Sequence, residues 1–392
     1  MKRKNIYTRS IINRRYFVKQ TSLGMGAIGL GLASCSSPKR EESTSSGPKE
    51  ITKRRLGVAL VGLGNYATNQ LAPALQHTKH CYLAGIVTGT KEKEQIWKDK
   101  YGIPDGNIYN YDNYDSIANN ENIDIIYVVL PNSMHAEYTI RGAQAGKHMM
   151  CEKPMAISVA ECQQMIDACT QANRKLSIGY RLHYEPFNAE MMRLGQKEVY
   201  GKITGLQASF GFTMGNLDQW RAKKVMSGGG PLMDVGIYAM QGSIYTQGAL
   251  PVTVKAIETT KNKEDWNDVE GSLEWEMEFP SGVVAQYETT YEANIQFLKA
   301  KAENGFFELA PAYVYNGLEG VTSDGPMNIE PVIHQAEHMD AFTKNILDNT
   351  KVIASGEMGM RDMYYIEKIY ASAASGGDVL SLAGAPQVLH LV

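Results

Sequence analysis

The sequence predicts an α/β protein of two domains, and three features carry that expectation. The chain has 392 residues, 43% of them hydrophobic, which is enough apolar material to fill two cores. A short apolar run at residues 56–62 passes through a glycine-rich turn into a helical pattern, the opening of a parallel βαβ unit. Beyond residue 200 the apolar runs are short, strand-like and separated by Gly, Pro or charged turns, as in a sheet with little intervening helix.

The first 53 residues lie outside both domains. Residues 13–19 read N-R-R-Y-F-V-K, and residues 22–34 form a glycine-rich apolar run too short to span a bilayer. The segment resembles a twin-arginine export signal. Leu32-Ala33-Ser34-Cys35 resembles a lipobox, which makes Cys35 the expected lipidation site and a membrane anchor on the periplasmic side. Residues 36–53, rich in Ser, Pro, Gly and charge, are expected to be a flexible tether.

Removal of residues 1–35, which carry seven lysines and arginines and no acid, takes the formal charge from −3 to −10. So acidic a surface, without a basic patch, makes nucleic acid an unsuitable partner. The five cysteines show no paired spacing of the kind that binds zinc, no metal is expected, and Cys162 and Cys169 read as small buried thiols in a helix.

Residues 54–177 form the first domain. In Gly62-Leu63-Gly64-Asn65-Tyr66-Ala67, Gly62 suits a tight turn, Gly64 lets a pyrophosphate approach the main chain, and Ala67 allows close packing of helix on strand. The phosphates would meet the positive end of the following helix. At the end of the second strand, residues 82–87, an NAD enzyme carries an acid for the ribose hydroxyl. Here Thr88, Thr90 and Lys93 follow instead, a set suited to a 2′-phosphate, so NADP is expected, with NAD as the alternative. A buried strand at 123–130 leads to Pro131-Asn132-Ser133-Met134-His135, and the next strand-edge segment to Glu152-Lys153-Pro154. Asn132, His135 and Lys153 thus converge on the crevice beyond the carboxyl ends of the strands.

With LPNSMHAEYTIR, AGKHMMCEKPMA, IGYRLHYEP and GGGPLMDVGIY in order along the chain, the sequence resembles the glucose-fructose oxidoreductase and inositol dehydrogenase (Gfo/Idh/MocA) family from about residue 54 to 375, and within it the glucose-fructose oxidoreductase branch. The resemblance implies an N-terminal Rossmann domain and, over residues 178–392, an α+β domain with a large, mostly antiparallel sheet. The runs at 203–212, 252–259, 273–279 and 282–287 agree, and 336–347 and 359–374 are helical by period. It also implies nicotinamide contacts at Asn65, Tyr66, Tyr111, Pro131, Glu152 and Arg181, besides those above, and a homo-oligomer paired through the sheet of the second domain.

Hydride transfer from a sugar carbinol needs a group to exchange the hydroxyl proton and a rigid pose for the carbon. Asp234 and Tyr238, four apart after the Gly228-Gly229-Gly230 loop, share a helix face. Tyr238 stands where most of the family has histidine. A phenol titrates near 10 in water, so it needs a neighbouring cation, and Lys153 is the candidate. Arg181, His183, Tyr184 and Trp220, with Arg221, are expected to line the sugar pocket.

A compartment outside the cytoplasm has no nicotinamide pool, so an exported enzyme must hold its cofactor tightly and recycle it by ping-pong transfer between two sugars. The alternatives are a glycoside 3-dehydrogenase or aldose 1-dehydrogenase of the same fold, and a lipid-anchored binding protein without catalysis.

Overall fold

The computed structural model describes residues 54–392 except Asn267; Cys35 and the twin-arginine segment lie outside the described residues. A first sheet of six parallel strands contains β1 (Leu56–Val61), β2 (Cys81–Val87), β3 (Ile108–Tyr109), β4 (Ile125–Val128), β5 (His148–Cys151) and β6 (Leu176–Ile178), in the order β3-β2-β1-β4-β5-β6. This is the Rossmann order. β1 is buried at every position, as expected of a strand covered on both faces.

The register of this sheet places the site. Val61 pairs with Val87 and Val128, Val128 with Cys151, and Cys151 with Ile178. The residues that follow, Gly62, Thr88, Glu152 and Gly179, therefore leave the sheet along one edge.

The second sheet comprises β7 (Ile203–Gly211), β8 (Thr253–Glu258), β9 (Ser272–Glu278), β10 (Val284–Thr290), β11 (Ile295–Ala302), β12 (Gly305–Leu309), β13 (Gly320–Thr322), β14 (Gly325–Pro326) and β15 (Leu380–Ser381). Its order is β14-β13-β12-β11-β7-β10-β9-β8-β15, antiparallel except for the β7–β10 pair. Strict alternation in β9, whose Leu273, Trp275 and Met277 point inward while Glu274, Glu276 and Glu278 point out, gives it one packed and one open face. The helices Ile237–Gln247 and Gly356–Ala374 pack against the sheet, on β7 and β8 respectively.

The chain crosses between the halves more than once. The helix His334–Leu347, far beyond the boundary expected at 177/178, buries Ala336, Met339 and Phe342 in the same core as Leu60, Leu71 and Trp97 of the Rossmann half. Its Asp340 carboxylate accepts hydrogen bonds from the backbone N–H of Lys79 (2.7 Å) and His80 (2.8 Å), and its His338 ring pairs with Ser177 (3.0 Å). Periodicity reveals that a helix has an apolar face but not which sheet receives it.

Asp340→Ala would leave two N–H groups without their carboxylate, and at about 1.5–3 kcal/mol for each charge-assisted bond the variant is expected to lose about 3–6 kcal/mol in urea unfolding. An unchanged midpoint would show that this helix does not anchor the first sheet.

Candidate active site

Along residues 231–240 every side chain is buried except Asp234 and Tyr238, so both open from one helix face into the cleft, as the spacing predicts. The local structure differs from a simple α-helix: Leu232–Gly236 is a π turn, and the α-helix runs from Ile237. Such turns widen the helix and recur at functional sites. The preceding loop is held by Glu270, whose carboxylate accepts from the N–H of Gly230 (2.9 Å) and Leu232 (3.2 Å) and from the Tyr370 hydroxyl (2.8 Å).

Lys153 reaches this face from the edge of the first sheet. Its Nζ donates to the backbone carbonyl of Asp234 (2.6 Å), lies 3.5 Å from Asp234 Oδ1 and sits 4.8 Å from the centroid of the Tyr238 ring. Asp234 Oδ2 accepts from Arg221 Nε and from the Tyr291 hydroxyl, both at 3.1 Å. Burial works to raise the Asp234 carboxyl, but Arg221 and then Lys153 outweigh it and hold the group below its ordinary value, so it is ionised at neutral pH. The Arg221 guanidinium rests on the half-buried Trp220 ring (4.5 Å), which places Trp220 at the rim.

Arg181 is a second cation at Tyr238. Only 2% exposed, its guanidinium lies 5.1 Å from the Tyr238 ring centroid and 4.6 Å from that of Tyr315. Tyr66, from the glycine turn, completes the group by meeting Tyr315.

Several expected site residues are committed to the protein itself. His135 is fully buried, with its ring nitrogens 2.9 Å from the carbonyls of Pro154 and Leu130, so it props the Lys153-Pro154 loop and has no nitrogen left for a ligand. His183 is buried and packs between Gln241 (3.2 Å) and His390 (3.1 Å), and Tyr184 stacks on His338. The Asn132 amide donates to the carbonyl of Ser227 (2.7 Å), tying one lip of the cleft to the other. Both Glu152 oxygens are engaged, one by the Tyr127 hydroxyl (2.6 Å) and one by the N–H of Lys153 (3.2 Å), and burial raises its carboxyl. Arg221, expected to line the sugar pocket, is a partner of Asp234. Tyr291 and Tyr315 were not foreseen, since a tyrosine near a strand end carries no local signature.

The glycine turn fits a dinucleotide. Gly62 has φ +89°, and a Cβ there would lie 2.5 Å from the Val129 carbonyl. A Cβ on Gly64 would meet nothing within 4 Å, so its exposed main chain faces open space where a pyrophosphate can approach. At the adenosine end, Thr88 is buried and accepts from the N–H of Thr90 (3.2 Å), Lys93 Nζ donates to the carbonyl of Leu63 (2.8 Å), and the Tyr111 ring covers Gly89. Pro131 caps the turn of residues 132–134. Among the described residues no group of three His, Cys, Asp or Glu is placed to hold a metal, and Cys81, Cys151, Cys162 and Cys169 are buried thiols without disulfides.

Residues 56–180 match the model of an oxidoreductase family with the NAD-binding Rossmann fold, and residues 189–303 match the GFO/IDH/MocA C-terminal domain. The chain belongs to the GFO/IDH/MocA oxidoreductase family. Within that family it is similar to the crystal structure of aldose-aldose oxidoreductase from Caulobacter crescentus complexed with glycerol, with 38% identity, a TM-score of 0.81 and coverage of 84% of this chain and 100% of that one. It is also 26% identical to D-xylose 1-dehydrogenase [NADP(+)] of Haloarcula marismortui over 82% of this chain and 92% of that protein. D-glucoside 3-dehydrogenase of Escherichia coli is 24% identical over 83% of this chain and 97% of that protein. Like those GFO/IDH/MocA relatives, the chain is an enzyme.

The buried histidines give the fold a pH signature. Burial lowers His135 and His148 to about 4 and His334 and His338 to about 3, while unfolded histidine titrates near 6.5. Below about pH 6.5 the unfolded chain therefore binds more protons, and stability falls as pH drops toward 4. Replacing His338 with Gln is expected to remove about 1.4 kcal/mol per pH unit from that slope in denaturation curves between pH 6 and 4.5, and an unchanged slope would refute its neutral burial.

Proposed function

We propose that this chain is an exported sugar oxidoreductase that keeps NADP bound and moves reducing equivalents from one sugar carbinol to a second carbonyl compound in two half-reactions. The observation that carries the proposal is the meeting of Lys153, Asp234 and Tyr238 in one cleft between the glycine turn and the second sheet. The substrates named for the relatives, aldoses, D-xylose and a D-glucoside, support a sugar.

A bound nicotinamide would supply the hydride chemistry, uptake from a carbinol carbon and return to a second carbonyl compound. The Tyr238 hydroxyl exchanges the carbinol proton, flanked by the cations of Lys153 and Arg181. Lys153 also polarises the substrate oxygen. The ionised Asp234 fixes the ammonium of Lys153 and the guanidinium of Arg221 and orients sugar hydroxyls. The absence of an acid at residues 88–91, directly after β2, together with Thr88 and Lys93, supports NADP over NAD. The signal in residues 13–35 supports export and a lipid anchor at Cys35, and export supports retention, because a dissociated cofactor would be lost. The open face of the second sheet supports pairing with another copy of the chain.

Protein recovered from an exporting host is expected to release NADP on denaturation, identified by mass spectrometry. Sugar alone should then produce reduced-nicotinamide absorbance equivalent to the enzyme present, discharged by a second aldose. Lys153→Ala and Tyr238→Phe should each slow that first step at least about 100-fold, the low end of acid–base effects. Empty protein would contradict retention, unchanged rates would contradict the assigned roles, and oxidation at C3 of a glycoside, read by NMR of the product, would replace the aldose reading.

A further inference from the structure

Retention demands a barrier to nucleotide exit, and the lips of the cleft carry a contact that neither proton transfer nor sugar orientation uses. The loop at residues 310–319, between β12 and β13, is closed at its base by the N–H of Ala310 bonding the carbonyl of Glu319 (3.0 Å). Tyr313 pins it to β11: its N–H donates to Gln296 Oε1 (3.1 Å) and its hydroxyl to the carbonyl of Phe297 (3.0 Å). From this pinned loop Tyr315 projects across the cleft, still 41% exposed, and its ring meets that of Tyr66 at 5.7 Å. Tyr66 belongs to the glycine turn, so the pair joins the nucleotide-binding lip to the second sheet directly. Arg181, itself buried, braces the crossing from below by donating to the carbonyls of Tyr313 and Val314 while lying 4.6 Å from the Tyr315 ring. Burial raises both phenols above their ordinary value, so both rings are neutral and meet as aromatic surfaces.

We infer that Tyr315 and Tyr66 form an aromatic strap over the cleft, anchored by Arg181, that slows dissociation of the nicotinamide nucleotide. The strap rests on the retention proposed above and supplies its physical cause: a dinucleotide would bind along the glycine turn, and the ring pair that bridges this turn to the second sheet would have to part for it to leave. An aromatic pair and a cation–π contact of ordinary strength together account for about a tenfold change in rate.

The test follows nucleotide release directly. Full-length protein is loaded with NADPH, mixed with excess NADP, and the loss of bound-NADPH fluorescence is timed, so the readout does not need turnover. Tyr315→Leu is expected to release NADPH about tenfold faster than the wild type, while Tyr315→Phe, which keeps the ring, releases it at the wild-type rate. Tyr66→Leu should also be faster, and the double variant no faster than the faster single one, because parting the pair removes the same contact from either side. Equal release from wild type and Tyr315→Leu, or additive effects in the double variant, would overturn the strap. Should Tyr315→Leu melt lower than the wild type, the Phe variant and the non-additivity still decide. Wild-type protein that is isolated empty but shows this pattern on loading would count against native retention and leave the strap standing.

Discussion

Asp234 is the point at which the two halves of the molecule are electrically joined. Its carboxylate takes Arg221 and Tyr291 on one oxygen and faces Lys153 with the other, and its backbone carbonyl receives the Lys153 ammonium as well. Lys153 belongs to the edge of the first sheet and the other three to the second half. Both ions are largely withdrawn from water, with side-chain exposures of 11% for Lys153 and 15% for Asp234. At such depth a lone cation is costly, and loss of one partner of a buried pair costs about 3–5 kcal/mol. The two cations keep the carboxylate charged, and the charged carboxylate positions them in turn.

What surrounds this joint serves to hold it. The shared register of β1, β2, β4, β5 and β6 brings the glycine turn, Thr88 and Glu152-Lys153 to one edge. His135 and Glu152 then fix the loop that carries the lysine, and Glu270 fixes the loop that leads into the π turn of Asp234. His135 spends both ring nitrogens on backbone carbonyls, and Glu152 and Glu270 divide their carboxylates between backbone N–H groups and a tyrosine hydroxyl, which is how a rigid pose is achieved without rigid loops.

The strand-turn-helix at residues 56–75 was legible in local period and the glycine motif, whereas the convergence of Lys153 with Asp234 and Tyr238 and the mostly antiparallel second sheet were expected from the family resemblance that the longer motifs carry. The sequence misled where polarity was taken for exposure. His135, His183 and Tyr184 read as ligands, yet His135 and His183 are buried and paired within the protein and Tyr184 is half-buried and stacked on His338, a distinction that needs three-dimensional neighbours. It was silent where function arises from distant pairing: Tyr291 reaches Asp234 across 57 positions, and Tyr315 reaches Tyr66 from the other half of the chain. The helix His334–Leu347 was found by its period but not placed, since its apolar face would suit either sheet.

The most direct test of the joint is the rate at which reduced nicotinamide forms when sugar is mixed with nucleotide-loaded Asp234→Asn protein, measured beside its nucleotide content. The substitution keeps the shape of the side chain and removes the charge. The account predicts a rate at least about 100-fold below the wild type with the nucleotide still bound, because Lys153 and Arg221 lose the group that positions them. A rate within a few-fold of the wild type would show that the carboxylate does not organise the cleft.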